Sequence, residues 1–192
     1  MTIAMFEQLQ KAVASNLSVN FGPTGPTTNR APLTALGEGK LVTLKAFVLI
    51  ARQEGGESVN CKGSVPDDPL FHDIHISFVN AANKPKPGDT KPIMNQKECT
   101  GIVGEMSPHH RPVEWTADNV NKVARAGVLV RIAGQQFFDS SHVPCTNGVP
   151  VESNPKRISL WEIHPICNFE VCVSNCNGAG TWQPLTQWAA TH

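Results

Sequence analysis

Residues 116–138, TADNVNKVARAGVLVRIAGQQFF, join a short helix directly to a long apolar strand, and this junction decides the fold. Thr116 is a favourable N-cap and Gly127 suits the first position beyond a helix, so the pattern predicts a helix over 116–127. The apolar run that follows, 128–138, predicts a strand. One apolar stripe of the helix is formed by Val120, Val123, Ala124 and Gly127.

Three strands are predicted upstream of that helix. The stretch KLVTLKAFVLIAR (40–52) is rich in β-forming residues, FHDIHISFV (71–79) has the two-residue alternation of a strand, and a third strand is expected around 100–106. The segment 84–97 carries four lysines and is interpreted as a solvated loop. At the amino end, apolar residues at helical spacing predict a helix within 3–17.

Downstream, one more strand is expected from 157 to about 164 or beyond. Three strands, one helix and two strands predict a mainly β fold: a five-stranded OB-like Greek-key barrel with a helix between strands three and four and an N-terminal helix. An irregular β-sandwich of similar content is the alternative. The expected organisation is an N-terminal helix and linker at 1–37, the barrel at 38–173 and a C-terminal arm at 174–192.

Four phrases occur in the order expected for one known barrel. HDIHISFV, GEMSPHHRP, RIAGQQFFDSSHVPC and RISLWEIHPI resemble the staphylococcal-nuclease-like branch of OB-folds, and they look like a group of uncharacterised bacterial proteins that share that barrel. The resemblance covers roughly 38–173 and implies the fold. The nuclease's calcium-binding carboxylates and phosphate-holding arginines find no residue-by-residue match, so the resemblance does not imply nuclease activity.

Composition excludes several classes of protein. The 192 residues suit one domain, and sixteen basic residues balance sixteen acidic ones. A formal net charge of zero disfavours nucleic acid as the partner, because phosphate neutralisation usually needs a basic face. No apolar run approaches the roughly 20 residues needed to cross a bilayer, so no membrane partner is expected. The oligomeric state stays open.

The six cysteines, at 61, 99, 145, 167, 172 and 176, favour disulfides, with free thiols or a cysteine–metal site as alternatives. We expect a Cys61–Cys99 bridge, with Cys145 paired to one of the three C-terminal cysteines. Disulfides indicate a secreted or periplasmic protein. Because residues 1–17 lack a secretory signal, its removal is expected, and a cytoplasmic location stays open.

Histidines and carboxylates recur on the faces and at the ends of the predicted strands. Asp73 and His75 share a face of the second strand, Glu162 and His164 share a face of the last, and Glu105 closes the third. If the barrel forms, these side chains converge, and such a mixture suits a metal site or an acid–base pair. The candidate catalytic residues are therefore His75, Glu105, Glu162, His164 and Asp73.

Four further residues are candidates for ligand binding. Arg131 lies on a central predicted strand, and Trp161 is an aromatic residue of the last one. His109 and His110 follow a Ser-Pro turn. For Trp161, packing in the core is the competing interpretation, and for the two histidines it is exposure on a loop.

The leading hypothesis is a small hydrolase-type enzyme of unknown substrate. His75, His164 and Glu105 would hold a divalent metal, zinc or calcium, that activates water or a substrate oxygen. In a metal-free variant, His75 acts as a base oriented by Asp73, and Glu162 acts as the acid. The alternatives are a non-catalytic OB-fold module that binds a small molecule, glycan or protein, and a structural protein whose polar network only closes the barrel.

Overall fold

The chain folds around one six-stranded sheet. The computed structural model describes residues 1–56, 71–151 and 155–192. The strands are β1 (Leu41–Gly56), β2 (His72–Val79), β3 (Ile102–Met106), β4 (Leu129–Phe138), β5 (Trp161–Ser174) and β6 (Thr181–Pro184). Neighbours in the order β3-β2-β1-β4-β5-β6 run antiparallel. A parallel pairing of Gly104 with Ile163 joins β3 to β5, so five strands close a ring. The mainly β class is confirmed.

Short helices surround the ring: α1 (Ile3–Ala14), α2 (Ala31–Ala35), α3 (Lys91–Glu98), α4 (Ala117–Ala126) and α5 (Leu185–Ala189). Helix α4 lies between β3 and β4 in the chain, as expected, and has the predicted caps. The Thr116 hydroxyl accepts from the Asn119 amide at 3.2 Å, and Gly127 is left-handed at φ 60°. Asn121 exchanges two hydrogen bonds of 2.8 and 2.9 Å with the backbone of Ala51, which fixes α4 to β1.

Glycine is needed where the ring closes. A Cβ at Gly104 would lie 2.9 Å from the Phe78 ring and 3.1 Å from the Ile166 side chain. A Cβ at Gly134 would lie 2.2 Å from the Pro165 carbonyl oxygen. Both glycines therefore let strands approach around a core of fully buried side chains that includes Phe78, Phe138, Trp161, Ile163 and Phe169.

Strand β2 is buried on both faces. All eight residues from His72 to Val79 are buried, the polar Asp73, His75 and Ser77 included. The predicted alternation places Ile74, Ile76 and Phe78 in the hydrophobic core. The opposite face is therefore a buried polar face, which requires internal partners for its charged groups.

The interpretation of 84–97 as a solvated loop is wrong for its second half. Helix α3 spans Lys91–Glu98, with Pro92 in its first turn, where proline lacks no needed donor. The helix ends at the buried Glu98, next to the buried Cys99. The lysines and prolines of this segment favoured a loop in the sequence analysis. The helix forms because tertiary contacts stabilise its carboxyl end.

Two disulfides are present among the described residues, but their pairing differs from the expected one. Cys99 pairs with Cys145, and Cys172 pairs with Cys176. The Cys61–Cys99 bridge and the pairing of Cys145 with a C-terminal cysteine are therefore wrong; Cys61 itself lies outside the described residues. The reason is topological, because the segment after β4 returns to the end of α3: the Cys145 amide donates to the Arg157 carbonyl, and the Ile158 amide donates to the Gly101 carbonyl, both at 2.8 Å.

The C-terminal arm 174–192 is partly regular. Strand β6 pairs with β5, and the short helix α5 buries Leu185 and Trp188. Two disulfides are consistent with an extracellular or periplasmic protein. In the described parts of the chain, every helix is too short or too polar to cross a membrane.

Candidate functional site

The sheet register brings the polar residues of three strands together. On the β2–β3 pair, His75 lies directly opposite Glu105. The parallel contact between β3 and β5 carries Glu162 and His164 to the same end of the ring. Four of the residues predicted from three separate strands, His75, Glu105, Glu162 and His164, thus line one cleft.

Glu105 is the centre of this cluster and is almost fully buried. Its Oε1 lies 3.1 Å from His75 Nε2, and its Oε2 lies 3.0 Å from His164 Nδ1. The same His164 Nδ1 lies 3.3 Å from Glu162 Oε1. Two imidazoles from different strands therefore point one nitrogen each at a single carboxylate.

The outward nitrogens of both imidazoles also have polar neighbours. His164 Nε2 lies 3.1 Å from the hydroxyl oxygen of Ser107, which follows β3. His75 Nδ1 lies 3.8 Å from Glu54 Oε1 on β1. Ser107 orients the His164 ring so that its inner nitrogen faces Glu105, and Glu54 places a carboxylate near the outer nitrogen of His75.

A chain of alternating charges continues from Glu162 along the cleft. Arg157 is fully buried, and its Nη1 donates to Glu162 Oε2 at 2.7 Å and lies 3.1 Å from Asp139 Oδ2. The same Asp139 oxygen lies 2.5 Å from His142 Nδ1. The positive side chains of the cleft are thus interleaved with its carboxylates.

The imidazoles of this cluster favour the protonated state. Burial lowers the pKa of His75, but the hydrogen bond and charge of Glu105 outweigh burial and raise that pKa to about 9. Burial likewise opposes protonation of His164, and the hydrogen bonds to Glu105 and Glu162 raise its pKa to about 11. In the metal-free protein, both rings are cations at neutral pH.

The pKa values of the two carboxyl groups beside His164 are shifted in opposite directions. Burial raises the pKa of Glu105, but hydrogen bonds from His164 and His75 more than offset it and hold that pKa well below its usual range. Burial and the charge of Glu105 raise the pKa of Glu162 to about 7. One carboxylate is therefore ionised, and the other titrates near neutrality.

The cluster opens into a cleft of about 630 Å³. Its wall includes Phe137, whose ring meets that of His164 edge-on at 5.6 Å between centroids. The lining residues are His75, Glu105, Gln135, Phe137, Asp139, Ser141, His142, Glu162, His164 and Pro165. A volume of this size accommodates a small organic molecule.

One set of donors is compact enough for a single cation. Ligand atoms of Asp73, Glu105 and His164 lie within 4.8 Å of one another. His75 Nε2 approaches the same Glu105 carboxylate. These are nitrogen and oxygen donors, the set that borderline divalent cations accept.

The other predicted ligand-binding residues are not brought to this cleft. Arg131 pairs with Glu170 at 2.7 Å and stacks on Trp182 at 4.6 Å. Trp161 is fully buried and packs edge-on against Phe138 in the core. His109 and His110 lie exposed on the 3-10 helix Pro108–His110, outside the lining residues.

Sequence reasoning missed the residues that support the cluster. Ser107 and Arg157 lie in two of the quoted phrases, but no role was predicted for either of them or for Glu54. The one available signal was position, because Ser107 comes two residues after Glu105, just beyond the same strand. The contacts of Arg157 depend on a long return of the chain that no local pattern predicts.

Comparisons with known protein families, with curated proteins and with solved structures find no match to this chain. The function must therefore be argued from the geometry of the cleft alone.

Proposed function

We propose that the cleft is the active site of a small hydrolase-type enzyme that uses one divalent cation. The cation is bound by His75, Glu105 and His164, with Asp73 completing the set. The observation that carries this proposal is the convergence of two inward imidazole nitrogens on one buried carboxylate, each ring having an outer polar neighbour.

The donor spacing supports a cation at Asp73, Glu105 and His164, whose ligand atoms lie within 4.8 Å of one another, and His75 adjoins that set through Glu105. Neighbouring ligands about 2.1 Å from one metal ion are about 3.0–3.4 Å apart. His75 Nε2 and His164 Nδ1 lie 3.1 and 3.0 Å from the two oxygens of Glu105. The Ser107 contact on the outer nitrogen of His164 has the character of the hydrogen bonds that orient metal-binding histidines.

The donor chemistry favours zinc over calcium. Calcium takes six to eight oxygen ligands, whereas two imidazoles and one or two carboxylates suit zinc and its neighbours in the transition series. A bound cation polarises a water molecule or a substrate oxygen. Glu162, beside His164 and Arg157, places a second carboxyl group next to these donors.

The test is a metal titration of chelator-treated protein by calorimetry with zinc, manganese and calcium in turn. We expect one zinc ion per chain, bound at least 100-fold more weakly by His75→Ala and by Glu105→Gln, with wild-type circular dichroism. His110→Gln, an exposed histidine outside the lining residues, is the matched control for loss of one imidazole. Equal affinity in wild type and His75→Ala would refute the metal site. Stoichiometric metal without hydrolysis of ester or phosphodiester probes would instead favour a binding module.

A metal-free serine relay is the second candidate. Ser107 Oγ, His164 and Glu105 Oε2 follow one another at 3.1 and 3.0 Å, the order of nucleophile, base and orienting carboxylate. The two candidates need opposite forms of His164: the relay needs the proton on Nδ1, and the metal site needs it on Nε2. The raised pKa of His164 opposes both candidates, because an imidazolium can neither accept the serine proton nor bind a cation without first losing its own proton.

Labelling with a fluorophosphonate separates the two candidates. The relay predicts covalent modification of Ser107 in metal-free protein and its loss in His164→Ala. The metal site predicts no modification, and Ser107→Ala then weakens zinc binding by about 10–100-fold, as loss of an outer-shell partner does.

The barrel type and the cellular location of the protein are also proposals. We propose that the ring of β1–β5 is an OB-like Greek-key barrel, supported by the helix α4 between β3 and β4 and by the β3–β5 pairing. We also propose an exported protein, supported by the two disulfides. An experimental structure tests the first, and thiol counting in protein from an oxidising compartment tests the second.

A further inference from the structure

A third imidazole faces the cleft, from the segment after β4. His142 Nδ1 lies 2.5 Å from Asp139 Oδ2, and the His142 side chain is 32% exposed. Both residues line the cleft. Neither belongs to the set of donors proposed for the cation.

Asp139 is fixed from three sides. Its Oδ1 accepts from the Ser141 amide at 3.1 Å, its Oδ2 lies 3.1 Å from Arg157 Nη1, and its own amide donates to the Leu160 carbonyl at 2.9 Å. Burial raises the pKa of Asp139, but the hydrogen bond with His142 and the charge of Arg157 lower it below its usual value. The carboxylate therefore stays ionised and rigid.

We propose that His142 transfers the proton in the hydrolysis carried out at this site and that Asp139 is its positioning residue. This inference rests on the hydrolase function proposed above. An ionised Asp139 accepts a hydrogen bond from the Nδ1–H group of His142 and so leaves Nε2 as the basic nitrogen of the ring. The side chain sits at the cleft, where a substrate reaches it, rather than within the core.

The His142–Asp139 pair, here called the dyad, lies next to the residues proposed to bind the cation. Arg157 Nη1 bonds both to Glu162, which contacts His164, and to Asp139, which contacts His142. One buried guanidinium thus sets the distance between the two groups. A substrate whose reacting bond lies at the cation is within the same cleft as the His142 ring.

The reaction class follows from this arrangement. Water oxygen forms the new bond to the electrophilic carbon or phosphorus of an ester, and the bond to the leaving oxygen breaks. His142 Nε2 accepts one proton from the attacking water and returns it to the leaving oxygen, so atoms and charge balance with water alone as the co-reactant. The substrates are carboxylic or phosphoric esters of poorly acidic alcohols, which need that proton most.

The test compares esters that differ in their leaving group. Zinc-loaded wild type, His142→Gln, Asp139→Asn and Asp139→Glu are assayed on phenyl and 4-nitrophenyl acetate and on the matching phosphodiesters. We expect His142→Gln to lower kcat by about 10²–10⁴-fold with the phenyl esters and by less with the 4-nitrophenyl esters, at similar KM and unchanged zinc content. Asp139→Asn lowers kcat similarly, and Asp139→Glu recovers part of it. His192→Gln, an exposed histidine in the C-terminal arm, serves as the control.

A measurement without turnover keeps this inference separate from the metal proposal. Nitrogen-15 NMR of the His142 ring in metal-free protein is expected to show the Nδ1–H tautomer at alkaline pH, and Asp139→Asn is expected to lose that preference. An Nε2–H tautomer in wild type, or wild-type kcat in His142→Gln for every ester, would overturn the assignment. If the wild type binds no metal and cleaves no ester, the proposed function fails, and the tautomer still decides whether the dyad exists.

Discussion

Two buried carboxylates, Glu98 and Glu105, are held by different kinds of cation. Glu98 is 0% exposed and contacts Arg52 at 2.5 Å and Lys156 at 3.7 Å. Glu105 is 3% exposed and contacts His75 and His164. Burial is the same for both acids, and the partners differ.

The difference separates a structural ion cluster from a reactive one. The cations beside Glu98 are an arginine and a lysine, whereas those beside Glu105 are imidazoles, the side chains whose ordinary pKa lies nearest neutrality. Glu98 also adjoins Cys99, whose bridge to Cys145 ties α3 to the segment after β4. Glu105 instead faces a cleft, and imidazoles can exchange their protons for a metal ion. Titratable partners, rather than burial, mark the functional site.

Removing the charge of Glu98 is the largest expected effect. Glu98→Gln leaves two cations around a buried neutral amide, and we expect the free energy of unfolding to fall by about 3–5 kcal/mol. Urea denaturation of the wild type and of the variant measures this difference in the free energy of unfolding. Glu7→Gln, which removes only an exposed i,i+4 pair with Lys11, should change it by less than about 0.5 kcal/mol. A cost at Glu98 as small as that at Glu7 would mean that Glu98 is not a structural anchor.

Glu105→Gln should destabilise the metal-free protein less than Glu98→Gln does. His75 and His164 can lose the protons that Glu105 stabilised, so we expect a cost of about 1–3 kcal/mol at pH 6 and less at pH 9. Urea denaturation at both pH values, with a chelator present, checks this. A cost that is equal at pH 6 and pH 9 would remove the distinction between the two carboxylates.

This contrast also shows how far sequence reasoning reaches. Strand alternation placed Asp73 with His75 and Glu162 with His164, because a two-residue period is a local property. The caps of α4 were equally local. The partners of Glu98, the Cys99–Cys145 bridge and the contacts of Ser107 and Arg157 arise from ring closure between distant segments, which spacing along the chain does not encode.

The stability of the metal-free wild type should fall as pH rises. The pKa of folded His75 is about 9, above the roughly 6.5 of an unfolded histidine, so its contribution is complete below pH 6.5 and is lost as pH rises through 9. The raised pKa of Glu162, about 7, acts in the same direction between roughly pH 4.5 and 7. The shift of His75 alone corresponds to about 3 kcal/mol, and the raised pKa of His164, about 11, adds to it. We therefore expect a loss of at least about 3 kcal/mol between pH 6 and 10, measured by urea denaturation with a chelator.

With saturating zinc, the free energy of unfolding should instead rise with pH between pH 5 and 7. Metal ligands must be deprotonated, so binding and the stability it contributes strengthen as pH rises. An identical pH profile with and without zinc would show that the cation does not bind at the imidazoles.

A small effect, close to that of the Glu7→Gln control, is expected at an ion pair that is more exposed than Arg52–Glu98. Arg131 Nε lies 2.7 Å from Glu170 Oε2, and the two side chains are 33% and 18% exposed. Glu170→Gln should lower the free energy of unfolding by at most about 1 kcal/mol, and 1 M salt should remove most of that, because water screens the pair. Urea denaturation of the variant with and without salt measures both. If Glu170→Gln lowered the free energy of unfolding as much as Glu98→Gln does, the burial of Glu98 would not explain its effect. An arginine partner alone would then be sufficient, because both carboxylates have one.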